Sequence, residues 1–83
     1  MTYLARVFVT LKPTVNDPQG QTILGGLHAL GYGEVSTVRA GKYLELRLDA
    51  ASAEQATQRV TDMCRRLLAN PVIEDYRFEV EPA

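Results

Sequence analysis

The stretch Tyr3-Leu4-Ala5-Arg6-Val7-Phe8-Val9-Thr10-Leu11-Lys12 decides how the rest of the chain is read. Its side chains alternate, so a pleated strand puts Tyr3, Ala5, Val7, Val9 and Leu11 on one side and Leu4, Arg6, Phe8, Thr10 and Lys12 on the other. The first side is wholly apolar and predicts a face covered by helices. The second mixes Leu4 and Phe8 with polar residues, too greasy for a surface left entirely to water. Pro13 has no N–H to give and ends the pairing.

Downstream, Asp17-Pro18 has the form of a helix start, an acceptor at the cap followed by Pro at the first helical position. The helix is predicted from about Pro18 to Leu30, with Ile23, Leu24, Leu27 and Leu30 as its apolar stripe and Gly31 as a left-handed C-cap. Gly25 and Gly26 each cost the helix roughly 1 kcal/mol against Ala, which close packing on a sheet or a partner would explain. Period two returns from Glu34 to Leu48, giving strands over Val35–Arg39 and Lys42–Leu48 with Ala40-Gly41 as a tight turn between them. In the second of these, Leu44, Leu46 and Leu48 oppose Tyr43, Glu45 and Arg47. Ser52 with Gln55 is a capping-box pattern opening a second helix, on which Ala56, Val60, Met63, Cys64 and Leu67 fall at helical spacing. Asn70-Pro71 closes it. A last strand is read over Val72–Val80.

The order β-α-β-β-α-β in one domain, residues 1–83, predicts an α+β ferredoxin-like sandwich with a four-stranded antiparallel sheet and two helices on one face. Its open face carries Leu4, Arg6, Phe8, Tyr43, Glu45 and Arg47. Self-association is expected through a half-apolar face of that kind or through an adjoining strand edge.

Composition narrows the function. A net charge of −1 with intermixed signs offers no basic surface for nucleic acid. No apolar run approaches a membrane span, the N-terminus does not read as a signal peptide, and a single cysteine, Cys64, gives no disulfide framework. A cytoplasmic protein is expected. Chemistry is sparse. The one histidine, His28, has no second group tied to it by a motif, Cys64 sits on a core stripe, and Asp75, Glu79 and Glu81 along one strand read as solvated carboxylates, not a metal site. The glycines form no phosphate-binding loop, and the sheet lacks base-stacking aromatic motifs. No catalytic, cofactor or metal residue is expected in this chain.

Four segments together resemble the PurS family of phosphoribosylformylglycinamidine synthase subunits. They are Val7–Lys12 with Asp17-Pro18-Gln19-Gly20, then Leu27-His28-Ala29-Leu30-Gly31-Tyr32, Val38-Arg39-Ala40-Gly41-Lys42-Tyr43, and the run Leu67 to Tyr76. The resemblance implies a small non-catalytic subunit of purine biosynthesis that bridges a PurL-type synthetase and a PurQ-type glutaminase. It would help ammonia pass to formylglycinamide ribonucleotide, and ATP and magnesium would be used by the synthetase, not by this chain. It also implies a homodimer or a dimer of dimers. Arg39, Lys42, Tyr43, Asn70 and Glu74 are the candidate partner-contact residues, and Leu4, Arg6, Phe8, Glu45 and Arg47 the candidate self-association face. Two other readings share the βαββαβ order. An ACT-like module would sense an amino acid at the loop Pro13–Asp17, and an acylphosphatase-like enzyme would need an Arg in that loop, where only Lys12 is near.

Overall fold

The first strand does become the organising element. In the computed structural model, which describes residues 1–83, β1 (Thr2–Leu11) lies at the centre of an antiparallel three-stranded sheet. It is flanked by β2 (Gly41–Asp49) and β3 (Glu74–Pro82). The register runs Tyr3↔Leu48 and Phe8↔Tyr43 on one side, and Tyr3↔Pro82 and Leu11↔Glu74 on the other. Tyr3, Ala5, Val7 and Val9 are buried, as the alternation requires.

Helix α2 (Ala53–Met63) covers that face with Ala56, Val60 and Cys64, none of which retains solvent exposure. It starts as the sequence indicates. The Ser52 hydroxyl accepts from Gln55 N at 3.1 Å, and the Gln55 side chain accepts from Ala51 N at 2.6 Å. The helix ends in a π-helical turn, Cys64–Leu68, closed by a five-residue bond from Ala69 N to Cys64 O at 3.0 Å. The wider turn delays the inward position by a residue. Ala69 is buried, whereas Leu67, placed on the core stripe by ideal helical spacing, is 82% exposed.

Helix α1 (Pro18–Ala29) departs further from expectation. Its ends are as read: Asp17 Oδ1 accepts from Gly20 N at 2.9 Å, and Gly31, at φ +99°, closes a Schellman motif with Tyr32 N to Leu27 O and Gly31 N to His28 O, both 3.0 Å. Yet α1 makes no broad contact with the sheet, and only Gly20 on it is buried. Ten strand residues span about 33 Å and twelve helical residues about 18 Å. Sheet and helix laid end to end account for the 50 Å long axis. The radius of gyration, 16.2 Å, exceeds the roughly 12 Å of a compact domain of this length. Residues 18–40 form an arm off one end of the sheet.

The expected strand Val35–Arg39 is absent from the sheet, so there are three strands instead of four and one helix on the inner face instead of two. The cause lies at the neck of the arm. Ala40 N donates to Asp17 Oδ2 at 2.8 Å, and the Arg39 guanidinium donates to the carbonyls of Leu11, Lys12 and Val15 at 2.8–3.3 Å. These bonds hold residues 38–40 against the base of α1, away from the free edge of β2. Close approach there is why Gly20 is glycine, since a Cβ would strike the Val38 carbonyl oxygen. Gly41 is likewise not a positive-φ turn residue: it is the first residue of β2, and a Cβ would strike the Val9 carbonyl oxygen. Val72 and Ile73 also precede the last strand, which begins at Glu74.

Candidate functional site

Two exposed surfaces stand out on this chain, and the outer sheet face is the more polar of them. Arg6 Nη2 lies 2.6 Å from Glu81 Oε1. The phenol of Tyr43 donates to Glu45 Oε2 at 2.8 Å. The Phe8 and Tyr43 rings meet at 5.1 Å, and the Arg77 guanidinium sits 4.0 Å above the Phe8 ring. The hydrogen bond from Arg6 holds the Glu81 carboxyl below the usual carboxylate range. The hydrogen bond to Glu45, then burial, raises the Tyr43 phenol. Phe8, Thr10, Tyr43, Asp75 and Arg77 line an open hollow of about 390 Å³ at the arm end of this face.

The candidate self-association residues do share this face: Leu4 and Arg6 lie opposite Arg47 and Glu45, and Phe8 opposite Tyr43. The candidate partner-contact residues do not converge. Arg39 turns inward to the carbonyls of the neck, Lys42 is exposed at the start of β2, and Tyr43 lies on the outer face against Phe8. Asn70 and Glu74 are brought together, but on each other. Asn70 N donates to Glu74 Oε1 and Glu74 N to Asn70 O, both 2.7 Å, while Asn70 Oδ1 accepts from Val72 N at 3.0 Å. They form a closed turn at the entry to β3.

Elsewhere the potentially reactive groups are occupied singly. His28 Nε2 lies 2.7 Å from the Val35 carbonyl oxygen, and Cys64 is buried, which pushes its thiol up. Asp75 pairs with Lys12, Glu79 with Arg77, and Glu81 with Arg6. The loop Pro13–Asp17, where an amino-acid sensor would bind, has the Val15 carbonyl already engaged by Arg39.

The second surface is apolar; helical spacing marks Ile23, Leu30 and Leu67 as stripe residues but does not show that they stay uncovered. Ile23, Leu30 and Tyr32 on the arm, and Leu67, Val72 and Ile73 beside its neck, are all exposed. The Lys12 backbone joins the two groups, its N–H donating to Ile73 O and its carbonyl accepting from Arg39, both at 2.8 Å. One sequence signal could have revealed this end: no Asp, Glu, Lys or Arg occurs from Pro18 to Gly33 or from Leu67 to Ile73.

A sequence profile of the PurS family, described as phosphoribosylformylglycinamidine (FGAM) synthase, matches residues 4–82. The chain belongs to the PurS family. It is 51% identical to the PurS subunit of phosphoribosylformylglycinamidine synthase from Synechocystis, over 94% of this chain and 78% of the relative. The structure of Bacillus subtilis PurS superposes with a TM-score of 0.83 at 49% identity, covering 95% of this chain and 98% of the other. A chain in the structure of PurLQS from Thermotoga maritima gives 0.89 at 31% identity, covering 98% and 99%. These overlaps span nearly the whole PurS chain, so the projecting arm is included in the likeness.

Proposed function

We propose that this chain is the small, non-catalytic subunit of phosphoribosylformylglycinamidine synthase in purine biosynthesis. The observation that carries it is the family match over residues 4–82, on a chain whose candidate reactive groups are each buried or paired. The T. maritima relative forms part of a PurLQS structure, which supports PurL-type and PurQ-type partners here. In this role the subunit bridges synthetase and glutaminase. It helps ammonia released from glutamine reach formylglycinamide ribonucleotide, while ATP and magnesium act at the synthetase. The site of action is the cytoplasm.

The subunit works as a homodimer or a dimer of dimers. A dimer of dimers needs two different self-contacts. The outer face, with Leu4, Arg6, Phe8, Glu45 and Arg47, supplies one of them. The strand order β2-β1-β3 is that of a ferredoxin-like sandwich lacking the strand beyond β2, which leaves that edge open to assembly.

Reconstitution tests the reading. The chain alone is expected to show neither glutaminase nor ATPase activity, and to restore glutamine-dependent synthesis when added to cognate synthetase and glutaminase subunits. Full-rate synthesis by those two subunits without it would end the proposal.

A further inference from the structure

Two chain crossings join the arm to the sheet, residues 12–17 going out and residues 38–40 coming back. Beyond them the arm is a unit of its own. Leu24 and Leu27 on α1 and Val35 and Val38 on the return segment are half-buried, the His28 ring meets the Val35 carbonyl oxygen at 2.7 Å, and the Gly31 turn closes the far end. A self-packed unit held by two crossings can tilt about the line that joins them unless other bonds span that line.

The bonds that span it are polar. Asp17, 3% exposed, accepts from Gly20 N at 2.9 Å with one oxygen and from Ala40 N at 2.8 Å with the other, which ties the outgoing crossing to the returning one. Arg39 reaches back from the arm to Leu11, the last residue of β1, donating to its carbonyl at 3.1 Å and to the Lys12 and Val15 carbonyls at 2.8 and 3.3 Å. Its Nε lies 4.0 Å from Asp17 Oδ2. Lys12 N in turn donates to Ile73 O at 2.8 Å, so the same network grips the entry to β3. A planar guanidinium serves several acceptors from one place, which a single ammonium does not.

Apolar packing fixes α2 on the sheet, through Val60 and Cys64, but it does not fix the arm. A nearly buried carboxylate and its partners tolerate few geometries, because each misplaced bond leaves a desolvated polar group unpaired. The neck therefore sets one arm angle. The likeness to a PurS chain within the PurLQS structure runs over 98% of this chain, arm included. By itself, then, the chain already has the shape of a relative in its assembly.

We infer that Asp17 and Arg39 are positioning residues, a clasp that holds the arm at its assembly angle before any partner arrives. This rests on the reading of the chain as the small subunit of the synthase. A loosened arm must be re-ordered when the complex forms, and that ordering weakens association without touching chemistry carried out in the other subunits.

Two mild variants test it. Asp17→Ser keeps an N-cap for α1, but its one hydroxyl cannot also reach Ala40 N. Arg39→Lys keeps the charge and loses the fork. Arg59→Lys, exposed on α2, is the control. Spin labels at Glu34→Cys on the arm and Glu54→Cys on α2, in labelled chain diluted with unlabelled chain, read the arm angle, while buried Cys64 takes no label. Narrow distance distributions are expected for wild type and control, and broad ones for both clasp variants, with circular dichroism unchanged. Each chain is then titrated into cognate synthetase and glutaminase subunits. Both clasp variants should raise the concentration for half-maximal glutamine-dependent synthesis about tenfold, with the wild-type rate regained at saturation. Narrow distributions in the variants would overturn the inference. So would a broadened arm with an unshifted half-saturation, since the angle would then have no bearing on assembly. A rate that stays low at saturation would overturn it too, by pointing to a part in the reaction itself. Wild-type chain that supports no synthesis at any concentration would defeat the subunit reading, an outcome distinct from the other three.

Discussion

The two helices of this chain have nearly equal lengths, 12 residues in α1 and 11 in α2, and both carry apolar residues at helical spacing. Their fates differ. Helix α2 buries Ala56 and Val60 on the central strand's apolar side, whereas α1 stands off the end of the sheet with Gly20 as its only buried residue. An apolar stripe says that a helix has a side to cover. It does not say which surface covers it, or whether that surface belongs to the same chain.

The sharpest way to break the comparison is to insert a charge on each helix. Val60→Asp, at a site with no exposure, should abolish folding as read by circular dichroism, because no partner compensates a buried carboxylate. Ile23→Asp, at a site 43% exposed, should leave the single chain folded. Glycine replacements come next. Gly41→Ala forces a Cβ onto the Val9 carbonyl and should cost about 2–3 kcal/mol in urea unfolding. Gly25→Ala meets nothing within 4 Å and should raise the stability of the single chain by about 1 kcal/mol. Were Gly25→Ala as costly as Gly41→Ala, α1 would be packed within its own chain and the contrast would fail.

The smallest effect concerns the neck, and it appears only in acid. Backbone hydrogen bonds from Gly20 and then Ala40, together with the Arg39 charge, hold the Asp17 carboxyl below its ordinary value. A carboxyl whose pKa is lower folded than unfolded adds stability that is fully present above about pH 4 and is lost as pH falls through the folded value. Thermal melts from about pH 6 down to about pH 2 should therefore show wild type losing more stability than Asp17→Asn. Equal losses would mean the carboxylate does not clasp the arm.

What was legible in the sequence was what short-range chemistry controls. The Asp17 cap, the Ser52 and Gln55 capping pair, the Gly31 terminus and the two sides of β1 each depend on residues a few positions apart, and each is found where expected. The missing strand depends on Asp17 reaching Ala40 and Arg39 reaching Leu11, contacts across more than twenty residues that no local pattern announces. Leu67 was misplaced because helical spacing assumes 3.6 residues per turn, and the bond from Ala69 to Cys64 breaks that spacing. Among the candidate site residues, the outer-face group was readable from alternation alone. Arg39, Asn70 and Glu74 turn out to be bonded within the chain, and the exposed arm end left its trace as two stretches without charge and as stripe residues, Ile23, Leu30 and Leu67, that the chain does not cover.

The central place of β1 has a consequence for biosynthesis. Tyr3 must wait for Leu48 on one side and for Pro82 on the other, so of these three strands the one made first is the one whose pairing is completed last. The sheet therefore stays incomplete until residues 74–82 have been made, and it closes through a slow, long-range step.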